Sequence, residues 1–196
     1  MENFDDLIKI KTNNVKPAPG KILISEPFLY DYYFKRSVVL LAEHNNDGSF
    51  GVIINKPLSM SFEDVVKDFP DFRSKIFLGG PVSTNSLFFI HTLGELIHNS
   101  LKVTGGIYWG GDLEQVKTMI TLGQLNENNI RFFIGYSGWS PKQLDMELKR
   151  DSWLVSELSD EQILSINPDD MWKSALQQLG DKYSQWINFP SDPGMN

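Results

Sequence analysis

The feature that most constrains the fold is an apolar run followed closely by a tight-turn signal. The stretch "SVVLLAE", residues 37–43, is nearly continuously apolar, which is typical of a strand buried on both faces. Asn46, Asp47 and Gly48 follow, and these residue types adopt the left-handed backbone conformations that a tight hairpin turn requires. A second strand is predicted over 50–55. The pattern therefore predicts a β-hairpin within a well-buried sheet.

Further strands and helices alternate irregularly along the chain. Apolar runs predict strands at 21–25, 106–109 and 129–136, and two more on either side of Gly79-Gly80-Pro81. Helix-capping residues precede five segments; they are Ser61, Asp112, Ser140, Ser159 and Asn167. The first of these helices is expected to end before Pro70, and the third to begin at Pro141. Because regular strand-helix alternation is absent, we predict an α+β fold with a mixed or antiparallel sheet.

Chain length bounds the domain organisation. With 196 residues the chain fits one domain, for which we predict residues 20–184. An N-terminal arm is predicted over 1–19, because the prolines of "KPAPG" at 16–20 interrupt regular structure. Residues 185–196 are predicted to form a C-terminal tail.

Composition excludes several classes of function. No cysteine is present, so disulfides and thiolate nucleophiles are excluded. The net charge of −7 has the wrong sign for gripping phosphate backbones, which disfavours direct nucleic-acid binding. The N-terminus lacks the pattern of a secretory signal, and the longest apolar run, 38–42, is too short to span a bilayer. We therefore expect a cytoplasmic protein with no membrane association.

A serine between glycines, in "GYSGW" at 135–139, raises the question of a catalytic nucleophile. The nucleophile elbow has the form G-x-S-x-G, and here the second glycine comes one place early. That fold also places its histidine after the serine, whereas His44, His91 and His98 all precede Ser137. We therefore interpret Ser137 as part of a structural turn that leads into the helix capped by Ser140.

Other candidate sites give weaker signals. The "LGGP" stretch at 78–81 could present backbone N–H groups to an anion, but it lacks the Lys-Ser or Lys-Thr of a phosphate-binding loop, and a turn between two strands is the simpler interpretation. The spacing of Glu43, His44 and Asp47 matches no known metal-ligand pattern. We predict no metal and no cofactor. Paired catalytic carboxylates stay open, because their meeting depends on the fold.

Several stretches together resemble the YqgE/AlgH family of bacterial proteins. They are "GKILISEPFLYDYYFKRSVVLLAEHNNDGSFGVIINKPL", "LGGPVSTNSLFFIH", "GYSGWSPKQLDMELKRDSWLV" and "MWKSALQQLG", and they run in order from about Gly20 to Gly180. The family motif usually has alanine where this chain has Ser137. The resemblance implies a single α+β domain in which a bifurcated sheet with a small barrel-like closure is surrounded by helices.

The resemblance transfers no catalytic residues, because the family has no established activity. One branch is connected by name to transcriptional regulation of alginate synthesis. Our first hypothesis is a non-enzymatic binding or regulatory protein that acts through a protein partner or a small ligand; its oligomeric state is not predicted. The candidate residues for that site are Gly79, Gly80, Pro81, His91, Tyr136, Trp139, Gln143 and Glu147.

Two alternatives stay open. One is a hydrolase-type enzyme whose acid and base groups come from distant segments, with Glu43, His44, His91 and Glu147 as candidates. The other is a transcriptional regulator. The first hypothesis would be contradicted by one deep cleft in which four of the candidate side chains converge: Tyr136, Gln143, Glu147 and His91.

Overall fold

A computed structural model describes residues 13–165 and 167–189. Most of the predicted N-terminal arm and the last seven residues of the predicted tail lie outside these ranges. The described strands are β1 (Ile22–Ser25), β2 (Val38–Asn45), β3 (Gly48–Ile53), β4 (Pro57–Ser61), β5 (Lys75–Leu78), β6 (Val82–His91), β7 (Leu101–Thr104), β8 (Ile107–Trp109), β9 (Ile130–Trp139) and β10 (Trp153–Ser156). The described helices are α1 (Phe62–Val65), α2 (Leu113–Thr121), α3 (Gln143–Lys149), α4 (Asp160–Ser165), α5 (Pro168–Gln178) and α6 (Asp181–Ser184), with 3₁₀ turns at Gly94–Leu96 and Gln185–Asn188.

Strand β9 joins two halves of the sheet. One half has the order β10-β1-β2-β3 and meets β9 through residues 137–139. In the other half, β6 pairs with one edge of β9 and β5 with the opposite edge, while β8-β7 extend beyond β6 and β4 extends beyond β5. Every pairing is antiparallel except that of β5 with β9. The α+β architecture, the predicted hairpin and the bifurcated sheet are confirmed.

The sheet does not close into a barrel. Among the described residues, β10 and β7 stand at opposite ends of the strand order and each pairs with one neighbour. The core between the two halves contains Met171, Trp172 and Leu176 of α5 beside strand residues of both halves. A small closed barrel is filled by the side chains of its own strands. Because helical side chains occupy this space, the expected barrel-like closure is wrong.

Two smaller cores cover the outer faces of the two halves. One packs Val116 and Ile120 of α2 against Phe132 of β9. The other packs Leu144 of α3 against strands β1, β2, β3 and β10. In the described part of the chain, no helix is long and apolar enough to cross a membrane.

A bulge at Gly135 changes which side chains of β9 face the main core. Phe133 and Tyr136 belong to the same cluster although they are three residues apart, so the two-residue alternation slips by one between them. Gly135 has a φ of 71°, a left-handed conformation that suits glycine. Strand β9 continues beyond this bulge to Trp139, three residues past the end predicted from sequence.

Helices α1 and α3 depart from their predicted bounds. The capping box of Ser61 and Asp64 forms, but α1 ends at Val65 rather than near Pro70. Helix α3 begins at Gln143 rather than at Pro141, because Lys142 adopts a left-handed conformation with a φ of 63°. The Gln143 side chain still accepts a hydrogen bond from the Ser140 N–H at 2.9 Å, so only half of the predicted box forms.

Candidate functional site

The Gly79-Gly80-Pro81 link crosses strand β9 at the bulge. It connects β5 on one edge of β9 to β6 on the other edge, so it passes over the β9 backbone near Gly135. A Cβ atom on Gly79 would stand well inside 3.0 Å of the Gly135 carbonyl oxygen, and one on Gly80 equally close to Tyr136. Glycine is therefore required here by backbone contact. We call this interlocked region, residues 79–81 with Gly135 and Ser137, the crossing.

Ser137 belongs to the crossing. Its side chain is fully buried, and its Oγ donates a hydrogen bond to the Gly79 carbonyl oxygen at 2.9 Å. The same oxygen accepts the N–H of Ile53 at 2.9 Å. A nucleophilic serine needs access to substrate and a base within hydrogen-bond reach. No histidine in the described ranges forms a hydrogen bond with Ser137, and the hydroxyl group instead fastens the link to β9.

Three more of the candidate residues form a hydrogen-bonded clasp beneath α3. The indole N–H groups of Trp139 and Trp153 donate to Glu147 Oε2 at 2.9 and 2.8 Å. Gln143 Nε2 donates to Glu147 Oε1 at 3.0 Å. The carboxylate thus fixes α3 to strands β9 and β10, with both oxygens engaged.

His91 lies buried in β6, away from the clasp and the crossing. Its Nδ1 accepts the Leu93 N–H at 3.2 Å, which requires that the ring proton reside on Nε2. Nε2 lies 3.0 Å from the Gly110 carbonyl oxygen and 2.9 Å from Ser100 Oγ. Burial lowers the pKa of His91, and the hydrogen bond to Gly110 opposes this change. The surroundings therefore favour a neutral imidazole that joins β6 to the segment after β8.

A groove of about 790 Å³ lies beside the end of β9, next to the β2–β3 hairpin. Four aromatic rings form one wall and the floor: Phe50, Phe88, Trp109 and Tyr136. The ring centroids of Phe88 and Trp109 are 5.6 Å apart and stacked, and those of Phe88 and Tyr136 are 5.4 Å apart, edge to face. We call this surface the aromatic groove.

Gly138 forms part of the floor of the aromatic groove. It is exposed and lies directly opposite Phe50 in the β3–β9 pair, so both residues face the groove. A Cβ atom on Gly138 would come no closer than 3.3 Å to another heavy atom, the Cε2 of Tyr136. The backbone therefore does not require glycine at this position. The missing side chain keeps the strand surface low between the Tyr136 ring and Val82, and such a glycine is typical of sites where another backbone approaches.

The rim of the aromatic groove is acidic. Glu43 and Asp47 line it, and no lysine or arginine does so among the described residues. Aromatic faces and carboxylates both attract cations. The groove is therefore suited to a ligand that combines apolar surface with positive charge.

The candidate residues of an enzyme do not come together. Glu43 lies opposite Phe50 on the groove side of the hairpin, whereas His44 lies opposite Ser49 and contacts its Oγ through Nδ1 at 2.7 Å. Ser49 lines the edge of the aromatic groove, but His44 is not among the residues that line it. His91 and Glu147 lie at their separate positions described above. The described residues contain no group of three or more acidic or histidine side chains placed to hold a metal ion.

The structure thus distributes the eight predicted site residues over four places. Gly79, Gly80 and Pro81 are in the crossing, Gln143 and Glu147 are in the clasp together with the Trp139 indole N–H, and His91 is in β6. Tyr136 faces the groove, and Trp139 lines its edge while its ring packs in the core under α3. The predicted set of site residues did not include Phe50, Phe88, Trp109 or Gly138. The two-residue alternation of side chains along β3 would be sufficient to predict that Phe50 faces the groove. Tyr136 faces the groove only because of the bulge at Gly135.

Comparisons with known proteins agree with this fold. The AlgH-like family model (DUF179) matches residues 22–184. A UPF0301 protein of Bacteroides thetaiotaomicron is 45% identical over 196 residues, which covers 99% of this chain and 100% of that protein. A UPF0301 protein of Parabacteroides distasonis is 43% identical over 198 residues and covers both chains completely.

Two solved structures share the architecture. The solution structure of the AlgH protein from Pseudomonas aeruginosa has a TM-score of 0.69 and 26% identity, over 90% of this chain and 98% of that one. A crystal structure of a Corynebacterium diphtheriae protein has a TM-score of 0.72 at 22% identity, over 89% of this chain and 94% of that one. With the family match and the full-length relatives, these likenesses lead to one conclusion: the chain belongs to the AlgH-like family.

Proposed function

We propose that this chain is a non-enzymatic binding protein whose aromatic groove receives an extended segment of a protein partner that carries lysine or arginine. The observation that carries the proposal is the groove itself, in which four aromatic rings, an open glycine floor and two carboxylates share one surface. A regulatory role, cytoplasmic as expected from the sequence, follows if binding changes the activity of that partner.

The chemistry of the groove supports a cationic segment. The four rings are half-buried against the main core, and their remaining exposed faces supply the apolar contact surface of the groove. A lysine or arginine over Trp109 or Tyr136 gains cation–π attraction, and Glu43 and Asp47 add charge attraction from the rim. Gly138 adds no side chain of its own to the groove, so an extended backbone can approach the strand there, beside the Tyr136 ring.

Transcriptional control is the second candidate role, and here it would act through a partner rather than through DNA. The chain carries a net charge of −7, and the groove rim is acidic, so phosphate backbones are repelled. A basic segment of a regulator protein has the opposite charge and fits the same groove.

The test uses arrays of ten-residue peptides that carry lysine or arginine between apolar residues, probed with the full chain. We expect that Gly138→Val, which fills the floor, and Tyr136→Ala, which removes part of the wall, reduce binding by at least about tenfold, equivalent to roughly 1.4 kcal/mol. The matched control is Ser59→Val, an exposed β4 position outside the groove, which should bind as the wild type does.

Two outcomes would contradict the proposal. One is undiminished peptide binding by Gly138→Val with a wild-type thermal melt. The other is the absence of any peptide whose binding depends on Tyr136 and Gly138. Selective binding of a small organic cation, with no peptide bound, would assign the groove to a small ligand instead.

A further inference from the structure

A second, smaller pocket has the opposite charge. It measures about 240 Å³ and lies between the segment before β2, the segment after β3 and the first turns of α5. Four cationic residues line it, Lys35, Arg36, Lys56 and Lys173, with Asp169 as the one acidic residue. On a chain with a net charge of −7, this is a local reversal of sign. We propose that this pocket, the basic pocket, binds a phosphate group.

Arg36 is held in a strained conformation by its neighbours. Its φ of 51° lies in the left-handed region, which residues with a Cβ atom rarely adopt. The Asn55 side chain braces it, because Nδ2 donates to the Arg36 carbonyl oxygen at 3.0 Å while Oδ1 accepts the Val38 N–H at 2.8 Å. Strain of this kind persists where the surroundings enforce it, and it is concentrated at ligand sites. The brace fixes the direction in which the Arg36 side chain leaves the backbone.

The guanidinium group of Arg36 is also positioned, and within residues 13–165 and 167–189 only its Nη2 has a hydrogen-bond acceptor. Its Cζ lies 5.0 Å from the centroid of the Trp172 ring, and Nη2 donates to the Phe189 carbonyl oxygen. Its Nε is buried and has no hydrogen-bond partner among the described residues. A guanidinium group carries five N–H donors in a planar fork that matches the oxygens of phosphate. Arg36 lines the basic pocket, so an anion there can accept hydrogen bonds from the guanidinium N–H groups that remain accessible, although not from the buried Nε.

The lysines of the basic pocket form no close ion pair with a carboxylate of the described residues. None of the pocket's cations lies within 4.0 Å of a carboxylate oxygen in residues 13–165 and 167–189. Lys35 and Lys56 are both half-buried, and Lys56 Nζ is tied to the Tyr33 carbonyl oxygen at 2.6 Å. Burial lowers the pKa of Lys56, Asp31 raises it, and the charge of Lys35 lowers it again. The charges of Lys35 and Lys56 repel each other, so an anion between them would be stabilising.

Size and charge favour phosphate over other anions. A space of about 240 Å³ admits a phosphate or pyrophosphate group but no larger folded segment. A phosphate dianion neutralises two of the four positive charges that line the pocket, whereas a carboxylate neutralises one. Asp169 opposes any anion, so the lysines and Arg36 must outweigh it. The phosphate can come from a soluble phosphate ester or from a lipid headgroup.

The experiment is a calorimetric titration of the full chain with inorganic phosphate and with pyrophosphate, at low ionic strength held constant with chloride. We expect saturable binding that is at least about tenfold weaker in the double variant Lys35→Gln/Lys173→Gln, because two charge-assisted contacts are lost. Arg36→Lys keeps the charge but removes the fork, and should also weaken binding. The matched control is Lys75→Gln/Lys102→Gln, which makes the same change in net charge at exposed positions elsewhere.

The outcomes separate the alternatives. Absence of saturable binding in the wild type, or equal weakening in both double variants, would overturn the proposal, since the second result indicates general charge attraction alone. Flotation with phosphatidic acid vesicles then identifies the source of the phosphate. Co-flotation that Lys35→Gln/Lys173→Gln abolishes indicates a lipid headgroup, whereas binding of soluble phosphate without co-flotation indicates a soluble ester. Thermal melts of all variants confirm that they are folded.

Discussion

Two glycines on strand β9, three residues apart, occupy opposite kinds of surroundings. At Gly135 the backbone is in the left-handed region, and the Gly79-Gly80-Pro81 link passes so close that a Cβ atom would stand within 3.0 Å of the Gly80 carbonyl oxygen. At Gly138 the backbone imposes no such conformation, and the nearest heavy atom to a Cβ would be 3.3 Å away. The first glycine is a requirement of the fold.

The second glycine has a different consequence. Because the fold does not need it, the effect of its missing side chain is on the surface, where it opens the floor of the aromatic groove. A motif with two glycines can therefore combine a structural position and a binding position. The crossing and the groove should respond to substitution in different ways, by loss of stability in the first and loss of binding in the second.

Gly135→Ala should have the largest effect. It combines a strained φ with overlap of backbone atoms, and we expect a loss of about 4 kcal/mol or more in the free energy of unfolding. Gly138→Ala on the same strand should change this free energy by less than about 1 kcal/mol. Urea unfolding of the two variants measures both values. Equal losses would remove the distinction between the two glycines.

Trp139→Ala should come next. The Trp139 side chain is 6% exposed and packs in the core under α3, so its truncation should cost about 3 kcal/mol. Trp139→Phe keeps most of the packing and removes the hydrogen bond to Glu147, for about 1 kcal/mol. A thermal melt unchanged by Trp139→Ala would refute the packing role of this residue.

Ser137→Ala should have a modest effect on the crossing. The Gly79 carbonyl oxygen keeps the hydrogen bond from the Ile53 N–H, so no buried acceptor is left without a partner. We expect a loss of about 1 kcal/mol by urea unfolding and no change in groove binding. A loss of peptide binding with full stability would instead give this hydroxyl group a functional role.

Local signals were sufficient to predict much of the fold. Helix caps at Asp112, Ser159 and Asn167 were recognised because a cap involves only residues two or three positions away. The hairpin was recognised for the same reason. Helix α1 was predicted too long, because the segment after Val65 packs against Phe132 without continuing the helical hydrogen bonds. Tertiary contacts outweighed the local pattern there.

The groove could not be predicted in the same way. Its rings come from β3, β6, β8 and β9, and they meet only after the sheet divides at β9. In a regular strand, the two-residue alternation would predict which face of the sheet Tyr136 lies on. The bulge at Gly135 reverses that alternation, so the prediction would be wrong. A single glycine in a strand pattern indicates that a bulge can occur there, but it does not indicate which face the following side chains take. The predicted site therefore included Tyr136 but not the three rings beside it in the groove.

His91 should give the smallest effect, a dependence of stability on pH. Its pKa in the folded chain is lowered by burial from the usual 6.5, so the unfolded chain takes up a proton at a higher pH than the folded chain does. The stability due to the neutral ring is complete above about pH 6.5 and decreases as the pH falls below that value, until the folded chain is protonated as well. We expect His91→Gln to flatten this part of the curve of unfolding free energy against pH. The matched control is Ser100→Ala, which removes a hydroxyl group 2.9 Å from Nε2 but keeps the imidazole, and should lower stability by a similar amount at every pH. A decrease below pH 6.5 that persists in His91→Gln would show that other groups cause it.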